Sequence, residues 1–175
     1  MARPRRPFPT WPIWLLLCGL SLIGLRLLRG RSSSELRLPP SDTPVQVLRA
    51  IDGDTLLLAD GSRVRLIGVD TPETKHPDRP PELWGPQAAA YTHSRVDGRV
   101  VTLQYDRERL DPYRRVLAFV WIEGELLNES LIREGYSRAV TSFPYRSDLQ
   151  RRFQQAEKAA RTQQLRIWAG SAATE

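Results

Sequence analysis

Residues 55–67 constrain the fold more than any other stretch. Two short runs rich in β-type residues, TLLLA (55–59) and RVRLI (63–67), are joined through Asp60-Gly61. An Asp-Gly step between apolar runs signals a tight β-hairpin, because both residues tolerate the positive φ angles of hairpin turns. Three further runs read as strands: VQVLRAI (45–51), RVVTLQY (99–105) and RVLAFVWI (115–122). Between them lie a proline-rich loop (68–83) and a charged loop, DRERLDPYR (106–114). Pro86 suits the first turn of a helix running to Asp97-Gly98, and a short amphipathic helix (126–134) stops at Gly135. Ser147 is placed to cap a last helix in which Leu149, Phe153, Ala156 and Ala160 share one face. About five strands with interspersed helices make an α+β domain.

The remainder of the chain differs in kind. The formal charge of +6 suggests nucleic acid at first sight, but residues 1–38 hold seven Arg and only one acid, Glu35, so the excess lies there. Residues 39–175 are balanced, which removes a blanket cationic footprint from the argument. Arg3, Arg5 and Arg6 precede an apolar run over 13–25 that Arg26 interrupts. This pattern predicts a signal sequence or membrane anchor over 1–31. A polar linker over 32–44, the domain over 45–170 and a tail over 171–175 complete the expected order. The single cysteine, Cys18, lies in the apolar run, so the domain has neither disulfides nor a Cys-based zinc site.

Four segments carry chemistry: IDGDT (51–55), RVRLIGVDTPET (63–74), DPYRR (111–115) and NESLIR (128–133). Asp52 and Asp54 stand at a strand entry, and Asp70 and Glu73 lie just past the hairpin's second strand. A hairpin closing at Asp60-Gly61 sets Asp54 near residues 67–69 and makes the two acidic clusters neighbours. Carboxylates so gathered repel one another unless a cation intervenes, and a hard divalent ion takes oxygen ligands. Thr71-Pro72 adds a rigid turn able to offer a carbonyl. Arg65 and Arg115 bring planar donor forks matched to phosphate oxygens. Glu73 is placed to orient or deprotonate a water. Metal-assisted phosphodiester hydrolysis is the chemistry these residue types suggest. His76 and His93 have no partner for a metal site and read as ordinary loop and helix-surface residues. Asn128, Glu129 and Trp168 read as structural.

The run IDGDT followed by RLIGVDTPETKHP resembles the staphylococcal nuclease family. The similarity continues through WGPQA (84–88), Tyr113-x-Arg115-x-Leu-Ala118, Gly124-x-Leu-Leu-Asn-Glu129 and LRIW (165–168). The resemblance implies a five-stranded OB-type β-barrel with three helices, with Ca2+ as cofactor. It assigns Asp54 and Asp70 as metal carboxylates, Thr71 as a carbonyl ligand and Asp52 as an acid near the ion. Glu73 matches a general base, Arg65 and Arg115 a pair of phosphate-binding arginines, and Tyr113 a tyrosine beside the nucleotide phosphate. Three positions depart from the family pattern: Arg114 replaces a glycine, Pro112 a lysine and Thr141 a tyrosine, with Phe143 close by. The expected substrates are DNA and RNA, single strands favoured, with the N-terminal segment as a membrane contact and no obligate protein partner. The domain is expected on the extracytoplasmic side, anchored or secreted. The competing expectations are a catalytically silent binding module on the same barrel and a tethered calcium-sensing or adhesion domain. The presence of Arg65, Glu73 and Arg115 together weighs against both.

Overall fold

The computed structural model describes residues 38–74 and 79–170. The expected leader, residues 32–37 of the linker, His76 and the tail lie outside the described residues. Among the described residues no helix is long and apolar enough to cross a membrane.

The predicted hairpin forms from β2 (Thr55–Leu58) and β3 (Arg63–Leu66), with Thr55 opposite Arg65. Asp60 accepts a hydrogen bond from the Ser62 amide (2.8 Å), which fixes the turn. The pairing places Asp54 opposite Leu66, whose amide donates to the Asp54 carbonyl (3.0 Å), so the facing residue comes earlier than the expected 67–69. Strand β1 (Pro44–Ala50) pairs with β2 on one side and with β5 (Val100–Gln104) on the other. The register of β1 shifts between Val47 and Arg49. This irregularity lets a single strand serve both halves of a curved sheet. Strand β5 pairs with β6 (Val116–Ile122), and β6 returns to β3 in parallel, Arg65 facing Leu117. The order β3-β2-β1-β5-β6 therefore closes on itself. A closed five-stranded barrel of this topology is the OB-type fold. The strand ends stabilise residues ahead of β1 as well: Asp42 donates its amide to Leu103, and Tyr105 donates its hydroxyl to the Pro39 carbonyl (2.8 Å).

Three short strands fall outside the expected set. Strand β4 (Val69–Asp70) lies within the stretch read as loop and pairs antiparallel with β8 (Arg138–Ala139). Strand β7 (Glu125–Leu126) extends β6 through a hairpin. Two-residue strands carry no usable periodicity, which is why the sequence does not announce them.

Three helices cover the barrel: α1 (Gly85–Val96), α2 (Leu127–Arg133) and α3 (Ser147–Thr162). Pro86 sits in the first turn of α1 as expected. The α3 face is the predicted one, with Leu149, Phe153, Ala156 and Ala160 buried against the rest. Phe153 meets Phe119 of β6 edge-on, ring centroids 6.2 Å apart, and neither ring is exposed. Ser147, however, does not cap α3. It is the first helical residue, Arg146 occupies the cap position, and no side-chain cap bond forms. Instead Asp148 in the first turn pairs with Arg146 (2.7 Å), and an acid there complements the helix dipole.

Asn128 ties α2 to the barrel from a fully buried position. Its Oδ1 accepts from the Val120 amide (2.9 Å), and its Nδ2 donates to the Ile67 carbonyl (2.8 Å). Asn128→Ala leaves a buried donor and a buried acceptor unpaired, each costing about 1–3 kcal/mol. Urea unfolding of this variant is expected to show a loss of about 2–6 kcal/mol. An unchanged midpoint would remove Asn128 from the account of how α2 is held.

Candidate active site

The two acidic loops meet because two residues allow it. Gly53 separates Asp52 from Asp54, and a Cβ there would lie 2.6 Å from Thr71 Oγ1. Only glycine permits this approach. On the other side, the chain turns at Gly68, and β4 brings Asp70 and Thr71 back toward β2. The Thr92 hydroxyl on α1 donates to the Gly53 carbonyl (2.7 Å) and secures the first loop from behind.

Asp54 is the centre of the constellation and is almost fully buried. Its Oδ2 accepts from the Thr71 amide (3.0 Å) and the Thr71 hydroxyl (3.1 Å). Its Oδ1 accepts from Thr55 Oγ1 (3.1 Å) and is ion-paired with Arg65. Arg65 also reaches exposed Asp70 (3.1 Å) and so stands between the two carboxylates. Burial pulls the Arg65 guanidinium below its ordinary range, with Asp70 opposing that shift. Asp52 accepts from the Asp54 amide (3.0 Å). Burial raises the Asp52 carboxyl, and Thr55 and Arg65 partly offset the rise. Ser137, buried just ahead of β8, donates to the Asp70 carbonyl (3.1 Å) and accepts from the Asp70 amide (2.8 Å).

Glu73 stands at the exposed rim. Its amide donates to the Glu82 carboxylate (3.1 Å), and the Glu82 amide donates back to the Glu73 carbonyl (2.9 Å). Its own carboxylate accepts from the Thr74 amide (2.9 Å). Asp52, Asp54, Arg65, Asp70, Thr71, Glu73 and Arg115 all line one polar pocket of about 230 Å³. Of the residues expected at the phosphate and the metal, all but Tyr113 are thus brought together. Tyr113 stands apart from that pocket, 80% exposed, its ring 5.5 Å from the Arg115 guanidinium. It lines an adjoining hollow of about 430 Å³ with Leu117, Val140 and Phe143.

Sequence reasoning missed the brace behind Arg115. Asp111 accepts from the Arg115 Nε (2.6 Å), the Arg115 amide (2.8 Å) and the Tyr113 amide (2.9 Å). Burial works against the charged form, but these bonds and the Arg115 charge hold the Asp111 carboxyl below its usual range. Asp-Pro ahead of a tight loop was the available signal, since Asp side chains bond the backbone two residues on. Arg114, in place of the family's glycine, takes φ 61° in this loop. Phe143, close to Thr141, lines the same hollow as Tyr113. His93 bonds Asp97 (2.8 Å) at the end of α1 and has no place in the pocket.

The pocket offers carboxylate, hydroxyl and carbonyl oxygens, with no nitrogen or sulfur ligand, which is the chemistry of a hard ion such as calcium or magnesium. Among the described residues no three His, Cys, Asp or Glu side chains close into a cage. In this structure Arg65 stands between Asp54 and Asp70 and supplies the positive charge there.

An OB-type barrel bearing an acidic pocket flanked by two arginines defines the class. The family model "Staphylococcal nuclease homologue" matches residues 63–170. A thermonuclease of Staphylococcus intermedius is 44% identical over 125 residues, covering 70% of this chain and 74% of the relative. A thermonuclease of Staphylococcus hyicus is 40% identical over 126 residues, with the same coverage of 70% and 74%. The endonuclease YncB of Bacillus subtilis is 34% identical over 127 residues, covering 70% of this chain and 60% of the relative. The chain belongs to the staphylococcal nuclease family.

Proposed function

We propose that this protein is a calcium-dependent nuclease that hydrolyses phosphodiester bonds of DNA and RNA. The observation that carries the reading is the convergence of Arg65, Arg115, Glu73 and the Asp54–Asp70 pair on one pocket. A binding module needs the arginines but has no use for a carboxylate poised at the rim beside them.

Asp54, Asp70 and the Thr71 carbonyl would hold the ion, with Asp52 close by. When bound, the ion neutralises negative charge on the phosphoryl oxygens. Arg65 and Arg115 grip the same phosphate from the protein side. Their forks match the equatorial oxygens, where charge grows as the attack proceeds. Glu73 accepts a proton from a water as its oxygen bonds to phosphorus. The P–O bond on the far side breaks, and the leaving oxygen takes a proton from solvent. These contacts are directed at phosphate and sugar, so sequence preference is weak. The open groove of an OB-type barrel suits a single strand, with Tyr113 and Phe143 offering faces to a base.

Incubation of the full-length chain, in detergent, with single-stranded DNA, duplex DNA and RNA tests the reading. Cleavage is expected in calcium, fastest on single strands, and is expected to vanish in excess chelator. Magnesium is expected to support it poorly, because it holds its own waters tightly. Full activity in chelator defeats the metal assignment, and binding without cleavage in calcium defeats the nuclease reading.

A further inference from the structure

We infer that a trough adjoining the acidic pocket at Asp70, Thr71 and Pro72 is a second nucleotide subsite. It takes the nucleotide beyond the scissile phosphate, with the base on Trp84 and a phosphate on Arg138. The inference rests on the nuclease reading above and extends it to the substrate's length.

Three hollows adjoin one another here, and Asp70 lines all of them. The Tyr113 hollow shares Arg65, Asp70 and Arg115 with the acidic pocket. The acidic pocket in turn shares Asp70, Thr71 and Pro72 with a trough of about 380 Å³, walled by Leu83, Trp84, Arg138 and Ile167. A strand with one nucleotide at Tyr113 and its phosphate in the acidic pocket has this trough as its continuation.

The trough carries the two groups that single-stranded nucleic acid recognises. Arg138 is the register partner of Asp70 in the β4–β8 pair, so the backbone sets it beside the acidic pocket. Its side chain is exposed and makes no ion pair among the described residues; its guanidinium lies 5.7 Å from the Trp168 ring. By contrast Arg166, also in the wall, is committed to Glu134 and lies over Tyr136. Trp84 is half-buried and presents its remaining surface to the trough, next to Leu83, which is 81% exposed. Indole is a strong base-stacking surface, and stacking is tolerant of sequence.

The backbone at Trp84 supports the same assignment. Trp84 has φ 72°, in the left-handed region that a bulky residue rarely adopts. Such a conformation persists only where neighbouring structure imposes it. The imposition is visible at Gly85, where a Cβ would lie 2.6 Å from the Glu73 carbonyl oxygen and 3.0 Å from that of Pro72. The backbone of the loop bearing Trp84 is therefore packed closely against the loop bearing Glu73. Glu82 lies in the wall as well, but its carboxylate accepts from the Glu73 amide (3.1 Å).

The test compares substrates that can and cannot reach the trough while occupying the rest. With the full-length chain in calcium, Trp84→Ala and Arg138→Gln are expected to raise KM for thymidine octanucleotide about tenfold each, the scale of one lost stack or phosphate contact. Cleavage of the methyl phosphodiesters of thymidine, 3′ and 5′, is expected to be unchanged. Trp84→Phe is expected to keep most of the octanucleotide affinity. An unaffected octanucleotide overturns the subsite. So does an equal loss on both substrates, because it marks Trp84 as a support for the Glu73 loop only. Arg138 is a surface position, so its variant keeps the test open should Trp84→Ala fold poorly. Fluorescence anisotropy with labelled octanucleotide in chelator separates the two readings. Trp84-dependent binding without cleavage in calcium overturns the nuclease and keeps the subsite. Cleavage with no dependence on Trp84 or Arg138 overturns the subsite alone, and neither binding nor cleavage overturns both.

Discussion

The Glu73→Gln variant is expected to bind single-stranded DNA as the parent does and to cleave it about 10²–10⁴-fold more slowly, the usual worth of a positioned general base. Glutamine keeps the size of the side chain and an oxygen for the Thr74 amide, which donates to Glu73 at 2.9 Å. The amide and carbonyl that lock residue 73 to Glu82 are backbone groups and survive the change. What is lost is the capacity to take a proton. The measurement is single-turnover cleavage with calcium saturating, beside anisotropy binding of the same strand. A large fall in affinity with little change in the cleavage step would show that Glu73 holds the substrate or the ion rather than the water. A variant that cleaves at the parent rate would return the base to an unassigned group.

The second large effect is expected at Arg115. Arg115→Lys keeps the charge but removes the planar fork, and loss of one donor set aimed at developing charge costs about 10²–10³-fold in kcat. The native guanidinium is oriented before substrate arrives, because its Nε donates to Asp111 (2.6 Å) while its amide donates to the same carboxylate (2.8 Å). A lysine ammonium cannot hold Asp111 with one edge and offer another to phosphate. The fall is expected in kcat more than in KM, because the contact strengthens as phosphoryl charge grows. A defect in KM alone would reduce Arg115 to a docking contact. The brace has a defined pH range. The Asp111 carboxyl is depressed in the folded chain, so the stability it contributes is present above its unfolded value. That stability is lost as pH falls through the lowered folded value. Arg115 therefore stays oriented at neutral pH and in mild acid.

Much of this molecule is readable along the chain because it depends on neighbours in sequence. The β2–β3 hairpin follows from Asp60-Gly61 between apolar runs, and the buried face of α3 follows from Leu149, Phe153, Ala156 and Ala160. Arg65, Glu73, Arg115 and the acidic pairs stand out by type and spacing, and the structure gathers them in one pocket. Local rules also misled where two local solutions compete. Ser147 is a good cap by type, yet Arg146 takes that position and Asp148 serves the first turn instead.

Other features were set by contacts between segments far apart. The parallel pairing of β3 with β6, which closes the barrel, joins Arg65 to the level of Leu117, and no periodicity specifies a partner strand. The β4–β8 pair sets Arg138 beside Asp70 across two residues per strand, too few to read. The orientation of Arg115 by Asp111 depends on the side chain folding back into its own loop. Residue types and local turns come from interactions that span a few positions, and the sequence alone determines them. The register of distant strands, the burial of Asp54 and the meeting of three hollows at Asp70 come from closing the barrel. Only the tertiary structure decided those, because the free energy that selects them is spread over all the packed segments at once.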